Sequence, residues 1–299
     1  MEKVIVILGQ TAVGKTSMSI KLAKYLNTEI INGDAMQVYK ELNIVTDKIT
    51  DEKMQGVKHH LLNIKSIDEN YSVEEYQSNI RSLITKINEK GKIPIIVGGT
   101  GLYIKAALYD YTFEKENISN IEVEKQYEDK TNDELYDILL SLDPKSAEKI
   151  HKNNRRRVLR AIAIYNLTGN KKSEIIESQK HELLYDALLI GLDLDKQTIN
   201  NKIDNRIEEM FREGLVDEIK NNPTSTTASK AIGYNEVSSY LNNEISLNEA
   251  KELMKIHTHQ YAKRQRTWFK NQFVVNWVNN DENAFESIIN LINNKWNIK

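Results

Sequence analysis

VIVILGQTAVGKTS, residues 4–17, is the stretch on which the reading of the fold turns. Residues 4–9 form a continuous apolar run rich in β-branched side chains, the pattern of a strand buried on both faces of a parallel sheet. Gly9-Gln10-Thr11-Ala12-Val13-Gly14-Lys15-Thr16 then fits G-x-x-x-x-G-K-[ST]. TSMSIKLAKYL (16–26) follows with helical spacing, Met18, Leu22, Ala23 and Leu26 sharing one side. In this setting the glycines let backbone N–H groups converge on phosphate oxygens at a helix N-terminus, where the dipole also favours an anion. Lys15 adds a point charge, and the Thr16 hydroxyl is a ligand for Mg²⁺. The loop asks for a phosphate. By itself it does not say whether that phosphate belongs to a nucleotide.

Strand–loop–helix units recur outward from it. TEIINGD (28–34) reads as a strand ending in Asp34. VEEYQSNIRSLITKINEKG (73–91) reads as a helix that turns Ile80, Leu83, Ile84 and Ile87 inward and stops at Gly91. KIPIIVGGTG (92–101) reads as a further strand with a glycine turn. Such repeats imply an α/β fold with a mostly parallel sheet, whose strand C-termini open onto one crevice. Asp34 and Gly98-Gly99-Thr100-Gly101 therefore converge on the phosphate loop. At that place a carboxylate can hold a metal-bound water or act as a general base, although Asp is also a favoured helix cap. A GGTG turn allows close approach of a ligand but is also common strand punctuation. His59 and His60 point in opposite directions on an extended chain and have no third ligand pattern, so they read as structural or substrate-adjacent rather than as a metal site.

The texture changes near residue 112. Residues 112–182 are polar and helical without a convincing strand, YDALLIGLDLD (185–195) returns as a strand, and helical stretches follow at 196–220, 246–270 and 284–295. The expectation is a P-loop NTPase-like α/β core, residues 1–111 and 183–299 with a helical C-terminal region, interrupted by a helical insertion domain over 112–182. Composition limits the alternatives. The absence of cysteine removes disulfides, thiolate zinc sites and a thiol nucleophile. No apolar run is long enough to cross a bilayer, and the apolar start runs straight into the glycine loop unlike a signal peptide, so a cytoplasmic enzyme is expected. With 41 Lys+Arg against 43 Asp+Glu the bulk charge does not advertise nucleic-acid binding. Two basic patches do: HKNNRRRVLR (151–160), and KIHTHQYAKRQRTWFK (255–270), which contains no acid.

GQTAVGKT (9–16), DAMQVYKELNIVTDK (34–48), HHL (59–61), GGTGLY (98–103), RRRVLRAIAIYNLTG (155–169), RIEEMFREGLVDE (206–218), AIGYNE (231–236) and QYAKRQRTWF (260–269) occur in this order along nearly the whole chain. Together they resemble the tRNA dimethylallyltransferases, also called tRNA isopentenyltransferases. The resemblance implies transfer of a dimethylallyl group from dimethylallyl diphosphate to the exocyclic amine of the adenine beside the tRNA anticodon. It implies that Gly9, Gln10, Thr11, Ala12, Val13, Gly14, Lys15 and Thr16 hold the diphosphate, with Mg²⁺ on Thr16. Asp34 would accept a proton from, or orient, the attacking amine, with Thr11 as the second catalytic group. Asp34, Ala35, Met36, Gln37, Thr100, Arg156, Arg157, Arg160, Lys263 and Arg264 would contact tRNA, and the insertion would clasp the anticodon stem-loop. No membrane and no protein partner is indicated. The chain departs from the family's usual Pro at Gln10, Ser at Ala35, Gly-Thr-Ala-Lys over Val45-Thr46-Asp47-Lys48, Pro at Lys58 and Arg at His259. An adenylate isopentenyltransferase, a P-loop small-metabolite kinase and a non-catalytic P-loop RNA-binding protein are the alternatives. The two long basic segments favour RNA over a mononucleotide.

Overall fold

A computed structural model describes residues 1–111, 125–178 and 180–297. Residues 1–109 with 183–299 form one compact unit and residues 110–182 a second. The first contains β1 (Lys3–Gly9), α1 (Lys15–Tyr25), β2 (Ile30–Asn32), α2 (Asp51–Met54), β3 (His59–His60), α3 (Val73–Asn88), β4 (Ile95–Gly98) and α4 (Gly101–Leu108). The second holds α5 (Asn132–Leu142), α6 (Pro144–Lys149), α7 (Arg155–Thr168) and α8 (Lys172–Ser178). The chain then returns to the first unit through β5 (Asp186–Asp193), α9 (Lys196–Arg212), α10 (Leu215–Asn221), α11 (Tyr234–Leu241), α12 (Leu247–Gln272), β6 (Asn276–Asn279) and α13 (Ala284–Trp296).

The six strands make one sheet of order β3-β2-β4-β1-β5-β6, parallel at every pairing. Residues 4–9 of β1 are all buried, as the apolar run requires. Its neighbours β4 and β5 hold it in register from Ile5 opposite Ile95 and from Lys3 opposite Asp186. Two strands escape the sequence pattern, both short and at the sheet edges. β3 spans two half-buried histidines, and β6 (NWVN) buries one residue of four, too little for periodicity to register. His60 Nε2 lies 2.7 Å from Glu29 Oε2, and Lys90 donates to the other oxygen of Glu29 at 2.8 Å. His59 Nδ1 pairs with the Val57 carbonyl at 2.8 Å. The histidine pair thus docks an edge strand, the structural branch of its reading. α3 buries Tyr76, Ile80, Ile84 and Ile87, and its C-terminal turn passes through Gly91 at φ 71°.

The 110–182 unit has its own small core, built on Leu135, Leu139, Ile150, Val158 and Ile162. Asp143 pins it. This buried carboxylate caps α6 through the Ser146 N–H (3.1 Å) and accepts from both the N–H and hydroxyl of Ser173 on α8 (2.9 and 2.6 Å).

At the C-terminal edge of the sheet, β2 and β4 end against each other. The Gly33 N–H donates to the Val97 carbonyl at 2.7 Å, and the Thr100 N–H donates to the Gly33 carbonyl at 3.2 Å. A Cβ on Gly98 would sit 2.1 Å from the Gly33 oxygen and 2.5 Å from its Cα. Backbone on both sides leaves nowhere for a methyl to go. Gly98→Ala is expected to destabilise the fold by roughly 1–3 kcal/mol, the usual range for overpacking. A urea-denaturation midpoint equal to that of the parent protein would disprove this account of the strand ends.

Candidate active site

The loop between β1 and α1 is shaped by backbone. Gly9, Ala12 and Gly14 have φ of 147°, 63° and 97°, and Gly14 precedes Lys15 at the helix start. Lys15 Nζ folds back to donate to the Gly9 and Gln10 carbonyls at 3.0 and 2.7 Å. Burial pushes its ammonium down to about 8; the carboxylates of Asp34 and Asp47 oppose that fall and Arg206 adds to it. Three contacts hold the loop from C-terminal elements. Gln265 of α12 accepts the Thr11 N–H at 2.8 Å, Gln10 Nε2 donates to the Ala262 carbonyl at 3.1 Å, and Asn280 Nδ2 donates to the Val13 carbonyl at 2.6 Å.

The other strand ends close on the same place. Asp34 accepts the Met36 N–H at 2.8 Å, and Thr100 Oγ1 accepts the Ala35 N–H at 3.0 Å. Gln265 Nε2 donates to the Gly99 carbonyl at 3.0 Å. The GGTG turn is therefore more than punctuation. A Cβ on Gly99 would meet Gln265 Nε2 at 2.2 Å, and one on Gly101 the Trp268 ring at 2.2 Å. The approaching group is the protein's own α12. Tyr261 stands beside Thr100 and Gln265, and burial raises its phenol far above the usual range.

A cavity of about 1020 Å³ opens here, lined by Thr11, Ala12, Gly14, Lys15, Thr16, Asp34, Ala35, Met36, Gln37, Thr100 and Arg264 among others. Of the residues expected at the site, Gly9, Gln10 and Val13 do not line it; they shape the loop, Val13 being fully buried. Lys263 is exposed on α12 and also does not line it. Arg156 and Arg157 are exposed on α7 in the helical unit, where Arg160 is partly buried near Tyr111.

Two arginines of the basic patches have structural work. Arg155 donates to the carbonyls of Lys130 and Tyr127 at 2.6 and 2.8 Å, and Arg266 forks onto the Asp193 carboxylate at the end of β5. His259, at a position where the family usually has arginine, places Nε2 2.8 Å from Asp204 Oδ1.

Sequence reasoning passed over several lining residues. Arg206 of α9 donates to Thr11 Oγ1 at 2.9 Å and lies 3.2 Å from Asp47 Oδ2. Gln265 and Tyr261 stand one helical turn apart on the cavity side of α12, a spacing visible in QYAKRQ. Ile203, Ile207 and Met210 of α9, with Val45, Ile49 and Met254, give the cavity an apolar wall beside its phosphate loop. These apolar positions look like ordinary core in the sequence, and nothing local marks them otherwise. The donor set is oxygen-rich, with the Thr16 hydroxyl and the Asp34 carboxylate on the cavity surface. Among the described residues no three His, Asp or Glu side chains converge to form a metal cage. A hydroxyl and a carboxylate are hard oxygen donors of the kind Mg²⁺ takes alongside water and phosphate oxygens.

A phosphate-loop motif at the C-terminal edge of a parallel sheet, with a carboxylate and an apolar wall lining the same cavity, defines a P-loop α/β protein. Residues 37–272 match the family model described as IPP transferase. A curated relative from Anoxybacillus flavithermus, named tRNA dimethylallyltransferase, is 48% identical over 97% of this chain and 95% of its own. The crystal structure of a tRNA Δ(2)-isopentenylpyrophosphate transferase from Staphylococcus epidermidis superposes with a TM-score of 0.73 at 39% identity, covering 99% of both chains. A eukaryotic dimethylallyltransferase, captured in crystallographic snapshots acting on tRNA, superposes with a TM-score of 0.84 at 31% identity, covering 97% of this chain and 78% of that one. The chain belongs to the IPP transferase family.

Lys15 yields a pH prediction. Only its protonated form attracts an anion, so affinity for inorganic pyrophosphate should hold below pH 8 and fall as pH rises through about 8, by at most about tenfold per pH unit. Calorimetric titration between pH 7 and 9.5 reads this, with Lys15→Arg as the reference that lacks the Lys15 component. Identical pH profiles for the two proteins would remove Lys15 from phosphate binding.

Proposed function

We propose that this protein transfers the dimethylallyl group of dimethylallyl diphosphate to the exocyclic amine of the adenine next to the anticodon in tRNA. The observation that carries the reading is one cavity that joins the phosphate loop, Asp34 and the apolar wall of α9. The names of the relatives support tRNA as the acceptor, and no described helix is long and apolar enough to cross a membrane. A cytoplasmic location follows from that substrate.

The loop N–H groups, Lys15 and Arg206 receive the diphosphate, and the apolar wall takes the five-carbon chain. The amine nitrogen attacks the allylic carbon, a C–N bond forms, and the C–O bond to diphosphate breaks. Asp34 takes one amine proton. Thr11, tied to Arg206 and Gln265, keeps the donor end of the loop in place beside the leaving group. Negative charge develops on diphosphate oxygens that already face fixed donors, so little reorganisation is needed at the reacting moment. Thr16 would hold Mg²⁺ together with the diphosphate, and the ion supplies further neutralisation of the leaving group. The acceptor adenine leaves the anticodon-loop stack to reach the cavity, at a cost lowered by its single-stranded setting. Ala35, Met36, Gln37 and Thr100 border its place. The exposed Arg156 and Arg157, with Lys263 and Arg264, meet tRNA phosphates, the first pair gripping the stem-loop from the helical unit.

Labelled dimethylallyl diphosphate offered with tRNA or with AMP should label tRNA alone. Label in AMP would instead make this an adenylate isopentenyltransferase, and ATP turnover without prenyl transfer would make it a kinase. Asp34→Asn should lower transfer by about 10²–10⁴-fold, the usual share of a general base, with tRNA affinity kept; near-parent rates would move the proton elsewhere. Replacing Arg156 and Arg157 together by alanine should flatten the dependence of log affinity on log salt by roughly two units, one per phosphate contact. An unchanged slope would leave both arginines as solvated surface charge.

A further inference from the structure

Asp47 stands out among the residues that line the cavity. It occupies the left-handed region at φ 49°, in a loop held by Gln37, whose side chain donates to the Thr46 and Asp47 carbonyls at 3.1 and 3.3 Å. Its carboxylate lies 3.2 Å from the Arg206 guanidinium, and the same NH1 donates to Thr11 Oγ1 at 2.9 Å. Arg206 thus stands at the phosphate loop with its charge already answered. The two partners differ in exposure: the Arg206 side chain is 26% exposed and the Asp47 side chain 55%. The carboxylate has a route back to water, while the guanidinium is held at the cavity wall.

We infer that Asp47 is a built-in competitor for the diphosphate site, a counter-anion that occupies Arg206 until the ligand's oxygens replace it. The inference rests on the diphosphate reading of the site. A diphosphate arriving at the loop brings several negative oxygens to Arg206, and one that binds at NH1 competes there with Asp47. The carboxylate also repels the ligand while it remains in the cavity. Both effects weaken binding of the substrate diphosphate and of the diphosphate released after transfer. Since diphosphate is the product that would block the loop, this loss of affinity favours its departure.

Inorganic pyrophosphate binding, measured by calorimetry with Mg²⁺ present and absent, tests the inference without any transfer reaction. Asn tolerates the left-handed backbone at residue 47 and removes only the charge. Asp47→Asn should bind pyrophosphate roughly two- to tenfold more tightly, the span expected for freeing one arginine from a partly exposed ion pair. The gain should shrink toward none at 1 M salt, where charges are screened within about 3 Å. In an Arg206→Lys background, whose ammonium lacks the planar fork, the gain should be smaller. Weaker pyrophosphate binding by Asp47→Asn, above all with Mg²⁺, would overturn the inference and make Asp47 a ligand-holding group. Unchanged affinity, or a gain of the same size with Arg206→Lys, would overturn it as well. A prenyl-transfer assay on the same proteins keeps the two readings apart. If the parent protein binds pyrophosphate but transfers nothing to tRNA, the proposed function fails and the competition at Arg206 is still measured.

Discussion

The amide of Gln265 is the joint on which the site depends. It is 5% exposed, accepts the Thr11 N–H and donates to the Gly99 carbonyl. One planar group therefore sets the separation between the phosphate loop and the turn after β4. Each bond is worth only about 1 kcal/mol net, but leaving a buried N–H or carbonyl unpaired costs roughly 1–3 kcal/mol. The geometry is thus enforced more by the cost of error than by the gain of the bond. Gly99 must lack a Cβ because Gln265 occupies that space, and Gly101 must lack one because Trp268 does. The segments GGTGLY and QYAKRQRTWF, some 160 residues apart in the chain, are two halves of one steric requirement.

A second polar anchor fixes the opposite wall. Glu218, the fourth residue of α10, accepts the N–H groups of Asn43, Ile44 and Val45 at 2.8, 2.8 and 2.9 Å. Lys48 is buried under the same loop, donating to Asn43 and Asn63 side chains at 2.9 and 2.8 Å and to the Tyr39 carbonyl. Burial lowers its ammonium to about 8, so the site tolerates a desolvated cation because four oxygens surround it. A loop without regular structure is thereby tied to α10 and to a buried lysine by side-chain hydrogen bonds. It is this loop that presents Asp34 at one end and Asp47 at the other.

How much of this could be read from residues alone follows the range of the interactions. β1, α1, α3 and β5 were legible because each writes its burial into a local period of two, three-and-a-half or continuous apolar residues. β3 and β6 were not, since an edge strand of two or four residues buries too little to leave a pattern. The phosphate loop, Asp34 and Thr100 were legible because strand C-termini converge by topology. Arg206, Gln265 and the apolar wall were not. Their roles arise from contacts across more than 150 positions, and an isoleucine facing a ligand has the same local signature as one facing the core. The basic patches divide in the same way. Arg155 and Arg156 are adjacent in the chain, yet one caps carbonyls of its own unit and the other is exposed. Charge counting cannot separate them, because the difference lies in what stands 3 Å away.

The charges beside the loop bear on how a site suited to an anion can also release one. Lys15 and Arg206 stand with Asp34 and Asp47 beside the loop, and further cations, among them Lys21, Lys48 and Arg264, line the same cavity. The cationic lining draws anions in, and the two carboxylates offset part of that pull next to Lys15 and Arg206. Burial lowers the Lys15 ammonium to about 8, and an anion brought close favours its charged form. Stabilisation that grows along the reaction raises the rate, whereas stabilisation present from the start only deepens binding. On the function proposed for this site, Asp34 and Asp47 withhold part of the resting stabilisation that Lys15 and Arg206 would otherwise give a bound anion.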